Sequence, residues 1–229
     1  MQRHLVTVPA SVFRLSTVDW DIDWRSQMSG EANDGNTQTV FNAFPRWVAE
    51  PQLALAGEML RQWRAIRLRA QGQVGILRII MTDPVGFDPA AVGVDQAWLE
   101  TGVPFDTDQP FSTGQGFEFD PFVMADAAAP AGAEVIRVLV SDMTVPAVGQ
   151  FLSHDDWPFV VTSVTPVSGG AYELGVQMPL RRAIPSGAAI QMRATGLFEM
   201  VNPRGGNPSY GLDFVSRPSI ALREYLNRA

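Results

Sequence analysis

Residues 149–192 read GQFLSHDDWPFVVTSVTPVSGGAYELGVQMPLRRAIPSGAAIQM, a stretch in which short β-favouring runs alternate with turn residues. The runs are rich in Val, Phe, Tyr and Trp, which favour extended backbone. Gly149, Ser168-Gly169-Gly170 and Pro185-Ser186-Gly187 supply the turns. Several short strands at this spacing are typical of a small barrel or sandwich. The strands predicted in this region and just before it are 134–140, 150–152, 157–166, 171–178 and 188–194.

One helix is predicted at residues 51–71. Pro51 suits a first helical position and Gly72 suits the stop. Between them, apolar residues recur at spacings of three and four, which gives the helix an apolar face. These residues are Ala56, Met59, Leu60, Trp63, Ile66 and Ala70. Its C-terminal half carries Arg61, Arg64, Arg67 and Arg69, whose positive charge complements the helix dipole.

Both ends of the chain are predicted to contribute strands. Trp20, Ile22 and Trp24 alternate with aspartates, which indicates a strand with one buried face. The apolar run VGILRIIM at 74–81 predicts a buried strand after the helix. A loop is predicted at 27–35, where Ser, Gly, Asn and Asp are frequent. Further strands are predicted at 37–47, 210–215 and 220–226.

The middle of the chain, residues 84–131, has little periodicity and is predicted to form long loops, with one short strand near 117–122. Gly, Pro, Asp and Phe are interleaved there. Large aromatic side chains in loops either pack locally or act as anchors of an interface. The candidate interface residues are Trp98, Phe105, Phe111, Phe117 and Phe119.

Composition excludes several classes of function. The net charge of −7 and the pI near 4.8 disfavour stable nucleic-acid binding, which needs many basic residues. The chain has no cysteine, so disulfides, thiolate metal sites and thiol catalysis are excluded. The N-terminal stretch lacks the apolar core of a secretory signal, and no apolar run approaches about 18 residues. We therefore expect neither secretion by that route nor membrane insertion.

Motifs for catalysis, cofactors and metals are weak. Asp19, Asp21 and Asp23 match the start of a calcium loop, but Trp24 replaces its glycine and Gly30 its final glutamate. We interpret this stretch as a strand with an acidic face. His154-Asp155-Asp156 is interpreted as a polar hairpin turn, and Gly114-Gln115-Gly116 lacks the third glycine of a dinucleotide loop. We predict no catalytic, cofactor-binding or metal-binding residues, although acidic pairs that meet only in space remain open.

Two stretches resemble the distal tail and tail-tip proteins of long-tailed bacteriophages and of related gene transfer agents. The first is PRWVAEPQLALAGEMLRQWRAIRLRAQGQVGILRIIMTDP, residues 45–84, which is similar to their strand, helix, strand unit. The second runs from AGAEVIRVLVSD, residues 131–142, through 149–192. It has the family's Gly-x-hydrophobic entry strand, its Val-Thr turn and its Pro-Leu-Arg step before a Pro-x-Gly turn. The resemblance covers about half of the chain.

The resemblance implies a mainly β fold with one packed α-helix, in which a small OB-like β-barrel is inserted into a β-sandwich-like domain. The expected domains are a tail-tube-like β domain at 1–90 with 203–229, a loop-rich insertion at 91–130 and the barrel at 131–202. The implied function is structural: a cyclic homo-oligomer, commonly a hexamer, joins the tail tube protein to the tail hub protein and to fibres. Such a protein belongs to the virion's tail tip and is assembled in the host cytoplasm.

Two other functions stay open at this stage. A carbohydrate-binding module for host recognition would use the central aromatics, and an exposed Trp98 or Phe117 beside carboxylates would favour it. A small hydrolase would need a cleft that unites His154 or Asp155 with a second acid of perturbed pKa.

Overall fold

The computed structural model describes residues 3–13, 17–31, 37–40, 42, 44–209 and 214–228. The chain is mainly β, with 34% strand and 14% helix. It divides into two compact units. The sheet unit comprises Met1–Val6, Leu15–Leu77 and Phe198–Ala229, and the barrel unit comprises Thr7–Arg14 and Arg78–Leu197. The predicted fold class, mainly β with one packed helix and a β-barrel, is confirmed.

The elements follow one another in short segments. The strands are β1 Leu5–Thr7, β2 Trp20–Asp23, β3 Gln27–Glu31, β4 Thr37–Val40, β5 Arg46–Ala49, β6 Ile76–Ile80, β7 Phe122–Ala125, β8 Val135–Leu139, β9 Phe151–His154, β10 Trp157–Pro166, β11 Ala171–Gln177, β12 Ala189–Gln191, β13 Thr195–Met200 and β14 Leu222–Glu224. The helices are α1 Gly57–Ala70 and α2 Trp98–Thr101, with 3-10 turns at Ala10–Phe13, Gly72–Val74 and Pro89–Val92. In the described part of the chain, no helix has the length and hydropathy needed to cross a bilayer.

Six strands form one sheet in the order β1-β6-β13-β14-β5-β2. Antiparallel ladders join β13 to β14, β14 to β5 and β5 to β2. The strand predicted around Trp20 is present as β2, where Ile22 is buried and Asp21 is exposed, but Trp24, predicted on the buried face, lies after the strand and is exposed. The predicted strand at 220–226 is present as β14, whereas most of the predicted strand at 210–215 lies outside the described residues. The sheet thus joins the two ends of the chain.

Helix α1 begins later than the sequence predicts, at Gly57 rather than at Pro51. The backbone before it is extended, because Gln52 pairs with Thr17 and Ser219, and Leu55 pairs with Ser216. These bridges to distant residues override the local preference of a proline for a helix start. The predicted end is close to the observed one, at Ala70.

The apolar face of α1 is packed as predicted. Trp63, Ile66 and Ala70 are buried. The indole Nε1 of Trp63 donates a hydrogen bond of 2.7 Å to the carbonyl oxygen of Gly206. Gly206 has a positive φ of 65°, and a Cβ there would lie 2.7 Å from the Trp63 ring. The close approach of this loop to the helix therefore requires glycine.

Strands β1, β3 and β13 were not expected from the sequence. The segment predicted as a loop at 27–35 contains β3, which pairs with β4 in an antiparallel hairpin, so that prediction is wrong for residues 27–31. The reason is that backbone pairing does not require an apolar pattern. Strand β13, TGLFEM, was likewise not predicted, although Phe198 and Met200 are buried in it.

Six strands of the barrel unit close into a barrel in the order β10-β11-β8-β7-β12-β9, and β9 completes the circle by pairing with β10. Its interior is apolar, as the strand alternation requires. Fully buried residues include Val138, Leu152, Leu174 and Ile190. The five strands predicted from the sequence are all present within it as β8 to β12.

The barrel begins before residue 131, the start that was predicted for it. Its first strand is β7, which starts at Phe122 inside the predicted insertion 91–130, rather than after residue 131. The four residues FVMA are too few to produce a clear alternation, although Val123 and Ala125 are buried. At the other end, β13 lies in the sheet and not in the barrel, within the range 131–202 predicted for the barrel domain.

One charged cluster stabilises the sheet unit. Glu199 accepts a hydrogen bond of 2.6 Å from Arg3 and another of 2.6 Å from Arg223, and its side chain is mostly buried. The Arg3 guanidinium also lies 4.7 Å from the centre of the Tyr225 ring. Burial raises the pKa of Glu199, but the hydrogen bonds and charges of Arg3 and Arg223 outweigh it, so that the pKa is lowered.

We expect Glu199→Gln to lower the free energy of unfolding at pH 7 by about 1–2 kcal/mol, because it removes two charge-assisted hydrogen bonds. A carboxylate with a lowered pKa stabilises the fold above its unfolded-state pKa and loses that contribution as the pH falls through its folded-state pKa. The difference between wild type and variant, measured by urea unfolding, should therefore shrink below about pH 4. Glu58→Gln, which alters the exposed pair with Arg61, is the matched control and should change stability by less than about 0.5 kcal/mol. A pH-independent difference would contradict the assignment.

Candidate functional site

The barrel unit carries an irregular but hydrogen-bonded projection, residues 101–117, which we call the aromatic arm. Val103 and Phe117 exchange two backbone hydrogen bonds of 2.8 Å each at its base. Two tight turns follow: Phe105 donates to Gln109, and Phe111 donates to Gln115. The segment was predicted as a loop, and its internal bonding gives it a defined conformation.

Two glycines allow the base of the arm to close. A Cβ at Gly102 would lie 2.4 Å from the carbonyl oxygen of Phe117, and a Cβ at Gly116 would lie 2.3 Å from that of Val103. Real side chains do not approach backbone so closely, and Gly102 also has a positive φ of 79°. The pairing at the base therefore depends on the absence of side chains at both positions.

Three of the predicted interface residues meet on the arm, and we call Phe105, Phe111 and Phe117 the aromatic triad. Their ring centroids are 4.9, 5.3 and 5.1 Å apart, and all three pairs are edge-to-face. This is the favoured geometry for aromatic pairs. Their side chains are 41%, 40% and 51% exposed. The triad is thus an organised apolar surface that remains in contact with water.

The other two predicted residues, Trp98 and Phe119, form a separate group. Their ring centroids are 6.3 Å apart, and Phe119 lies equally far from Phe87. Both are half-buried, unlike the triad. Phe87 was not predicted as a member of this group, because the local sequence does not show that it contacts Phe119.

A cleft of about 350 Å³ opens beside Trp98. Its polar lining combines carboxylates, an amide and guanidinium groups, contributed by Arg78, Glu100, Gln115, Glu118, Asp120 and Arg193. We call it the acidic cleft. Arg193 is fixed by a hydrogen bond of 3.0 Å to the carbonyl oxygen of Leu99.

The charges in the acidic cleft perturb one another. Burial, followed by the nearby charge of Glu118, raises the pKa of Asp120, and Arg193 and Arg78 partly offset this. Burial also lowers the pKa of Arg193, against the opposing charges of Asp120 and Glu100. Perturbed pKa values of this kind occur at functional sites and also in ion-pair networks.

A polar network supports the cleft from within the barrel unit. Asp156 accepts hydrogen bonds of 2.7 Å from Arg78 and 2.7 Å from Thr195. The amide of Thr195 donates to the hydroxyl of Ser153 at 2.9 Å, and Ser153 is fully buried. Two cleft-lining side chains, Arg78 and Thr195, are therefore held in place by a carboxylate in the β9–β10 turn.

The weak motifs of the sequence have structural roles. His154, Asp155 and Asp156 lie at the hairpin between β9 and β10, where both aspartates have positive φ values of 50° and 62°. This is the backbone of a tight two-residue hairpin turn. His154 contacts the carbonyl oxygen of Ala189 at 2.9 Å. Neither His154 nor Asp155 lines the acidic cleft.

The three aspartates of the calcium-like stretch bind backbone amides. Asp19 accepts from Glu50, Asp21 from Ile22 and Asp23 from Arg25. No group of three or more His, Cys, Asp or Glu residues in the described ranges has the geometry of a metal site.

Acidic and basic residues are unevenly distributed along the sequence, and the net charge of −7 does not show this. Between Arg78 and Arg137 there are 10 acidic and no basic residues, whereas the rest of the chain has 17 basic and 14 acidic residues. Every basic residue outside the two histidines is an arginine. We call residues 79–136 the acidic segment. It includes the aromatic arm and most of the residues that line the acidic cleft, so a local charge count would have located this site from the sequence.

Comparison with known proteins gives no assignment, because the sequence matches no protein-family model and no curated protein at a significant level.

We expect Gly102→Ala to open the base of the arm and to accelerate hydrogen exchange at the amides of Val103 and Phe117 by at least about tenfold, since about 1.4 kcal/mol of local stability corresponds to that factor. Gly114→Ala is the matched control. Gly114 has the same φ of 79°, but a Cβ there meets nothing within 4 Å. Equal acceleration in the two variants would mean that backbone strain alone, and not the close approach, limits the arm.

Proposed function

We propose that the chain is a structural assembly protein whose aromatic arm binds another protein. The exposed aromatic triad carries this proposal. Phe side chains in contact with water lose the free energy of burial, about 1.5–3 kcal/mol each for full burial. Organised apolar patches of this kind, with polar surroundings, mark interaction surfaces. Interface centres are enriched in aromatic residues and interface rims are polar.

The arm is suited to binding because it is ordered before contact. Its backbone hydrogen bonds and the mutual edge-to-face contacts fix the three rings relative to one another. A surface that is already organised loses less conformational entropy on association. Acidic Asp106, Asp108 and Glu118 flank the rings in the sequence and are exposed, which supplies a charged rim.

We infer that the assembly is the tail tip of a long-tailed bacteriophage or gene transfer agent. The resemblance of residues 45–84 and 131–192 to those proteins supports this inference. The partners would be copies of the chain in a cyclic homo-oligomer, a hexamer as is common in that family, with the tail tube protein, the tail hub protein and fibres as neighbours. The acidic segment fits a channel that passes DNA without binding it, since like charges repel the phosphate backbone.

The first test measures the mass of the purified chain by light scattering over a concentration series, with electron microscopy of the same samples. We expect a discrete oligomer and closed rings with a central channel. A variant in which Phe105, Phe111 and Phe117 are all replaced by Ser should lose or weaken the oligomer. Replacing the exposed Phe44, Phe122 and Phe214 by Ser is the matched control. A chain that stays monomeric at every concentration, alone and mixed with tail tube and hub proteins, would contradict the proposal.

A second candidate function is carbohydrate binding for host recognition, and the composition of the acidic cleft favours it. Trp98 lines the cleft together with Gln115, Glu118 and Asp120, and sugar sites combine an aromatic ring with polar side chains that bind hydroxyl groups. The hydrolase alternative gains no such support, because the acid of raised pKa, Asp120, lines a cleft that His154 and Asp155 do not line.

A glycan array tests this second candidate. If the cleft binds sugars, an identified glycan should lose at least about tenfold in affinity, or about 1.4 kcal/mol, with Asp120→Asn or Trp98→Ala. Trp24→Ala is the control, because Trp24 is an exposed tryptophan of the sheet unit. If both cleft variants bind the glycan as tightly as the wild type does, the sugar site lies outside the acidic cleft. If the wild-type protein binds no glycan on the array, carbohydrate binding is rejected.

A further inference from the structure

Helix α1 has an exposed face with apolar residues at its centre and charged residues around them, as the aromatic arm has, but its charge is of the opposite sign. With 3.6 residues per turn, Arg61, Arg64, Ala65, Leu68 and Arg69 share one side of the helix. All five are exposed, and Leu68 is 67% exposed. The opposite side carries the buried Trp63, Ile66 and Ala70. The helix therefore has an apolar strip of Ala65 and Leu68 between arginines, which we call the basic face.

Glu58, the one acidic residue of α1, offsets only part of the positive charge of the basic face. Glu58 lies on the same side and pairs with Arg61 at 2.5 Å. Counted by formal charge, this side of the helix carries three arginines, Arg61, Arg64 and Arg69, against the one glutamate. The sequence accounted for these arginines by the helix dipole alone. That explanation does not require an exposed leucine among them.

The two surfaces are complementary in their chemistry. The arm has an apolar centre of three rings and an acidic rim, and the basic face has a small apolar centre and an arginine rim. Arginine suits such a contact, because its guanidinium binds carboxylates with two hydrogen bonds and stacks on aromatic rings. The chain has 17 arginines and no lysine, so every basic side chain has this capacity.

We propose that the aromatic arm of one copy docks onto the basic face of α1 in the next copy. The contact joins two different surfaces, so it is a head-to-tail contact of the kind that closes into a ring when the rotation allows. This inference rests on the proposed assembly function and names the contact that would build it. The apolar centres exclude water from the junction, and the opposed rims select the orientation.

Disulfide trapping tests the contact directly, because the chain has no cysteine of its own. Ser112→Cys places a thiol beside Phe111 on the arm, and Ala65→Cys places one at the centre of the basic face. Mild oxidation of an equimolar mixture of the two single variants should give a covalent heterodimer, and each variant alone should not. Val167→Cys, at an exposed position of the barrel unit, replaces Ser112→Cys in the control mixture. A heterodimer that forms equally well with Val167→Cys overturns the proposal.

Charge reversal tests the same contact without a disulfide, whose geometry is demanding. Replacing Asp106 and Asp108 by Arg, or Arg61 and Arg69 by Glu, should each raise the concentration needed for association by at least about tenfold. The two sets combined should restore association to within about threefold of wild type. Asp142→Arg, an exposed acidic position outside the arm, should have little effect.

The outcomes separate this inference from the proposed function. A discrete ring that forms normally with both reversed sets, and that gives no arm-to-helix disulfide, overturns the docking contact while the assembly function stands. A covalent homodimer of Ser112→Cys alone also overturns it, since it would place two arms together. Loss of association with either set and its recovery in the combination support the contact. A wild-type chain that never associates overturns both.

Discussion

Closure of the barrel is the constraint on which the organisation of the second unit depends. Because β9 pairs with β10 as well as with β12, no strand of the barrel is left with an open edge. The interior then has to be filled by side chains from all six strands, and Val138, Leu174 and Ile190 are completely buried there. A closed and packed scaffold of this kind leaves its connections free to diverge, so the aromatic arm can serve binding without contributing to the barrel core.

The acidic segment concentrates two properties that soluble proteins usually keep apart, exposed aromatic surface and high charge of one sign. The charge keeps an apolar surface soluble and discourages contact between identical arms, since like charges repel. The same charge attracts an arginine-rich surface. In the proposed assembly, solubility of the subunit and selection of its partner would have one physical origin.

The sequence was most informative where local composition decides the structure. The barrel strands β8 to β12 and the end of α1 followed from β-branched runs and from glycine and proline positions. It was least informative where distant residues decide, as at the start of α1, where pairing of Leu55 with Ser216 keeps the backbone extended. Strand β3 was missed because its residues QMSGE carry no apolar pattern. The aromatic residues of the site were identified individually, but their division into a triad and a half-buried pair depends on contacts in space.

The strand order of the sheet has a consequence for how the protein is made. Strand β14 lies between β13 and β5, so β2 and β5 cannot join the rest of the sheet until the chain has been synthesised through residue 224. The barrel strands, by contrast, all lie between residues 122 and 191. During translation the strands of the barrel can therefore pair before β14 is available to β2 and β5. A prematurely terminated product would carry a finished barrel and unpaired strand edges, which is the form most prone to aggregate.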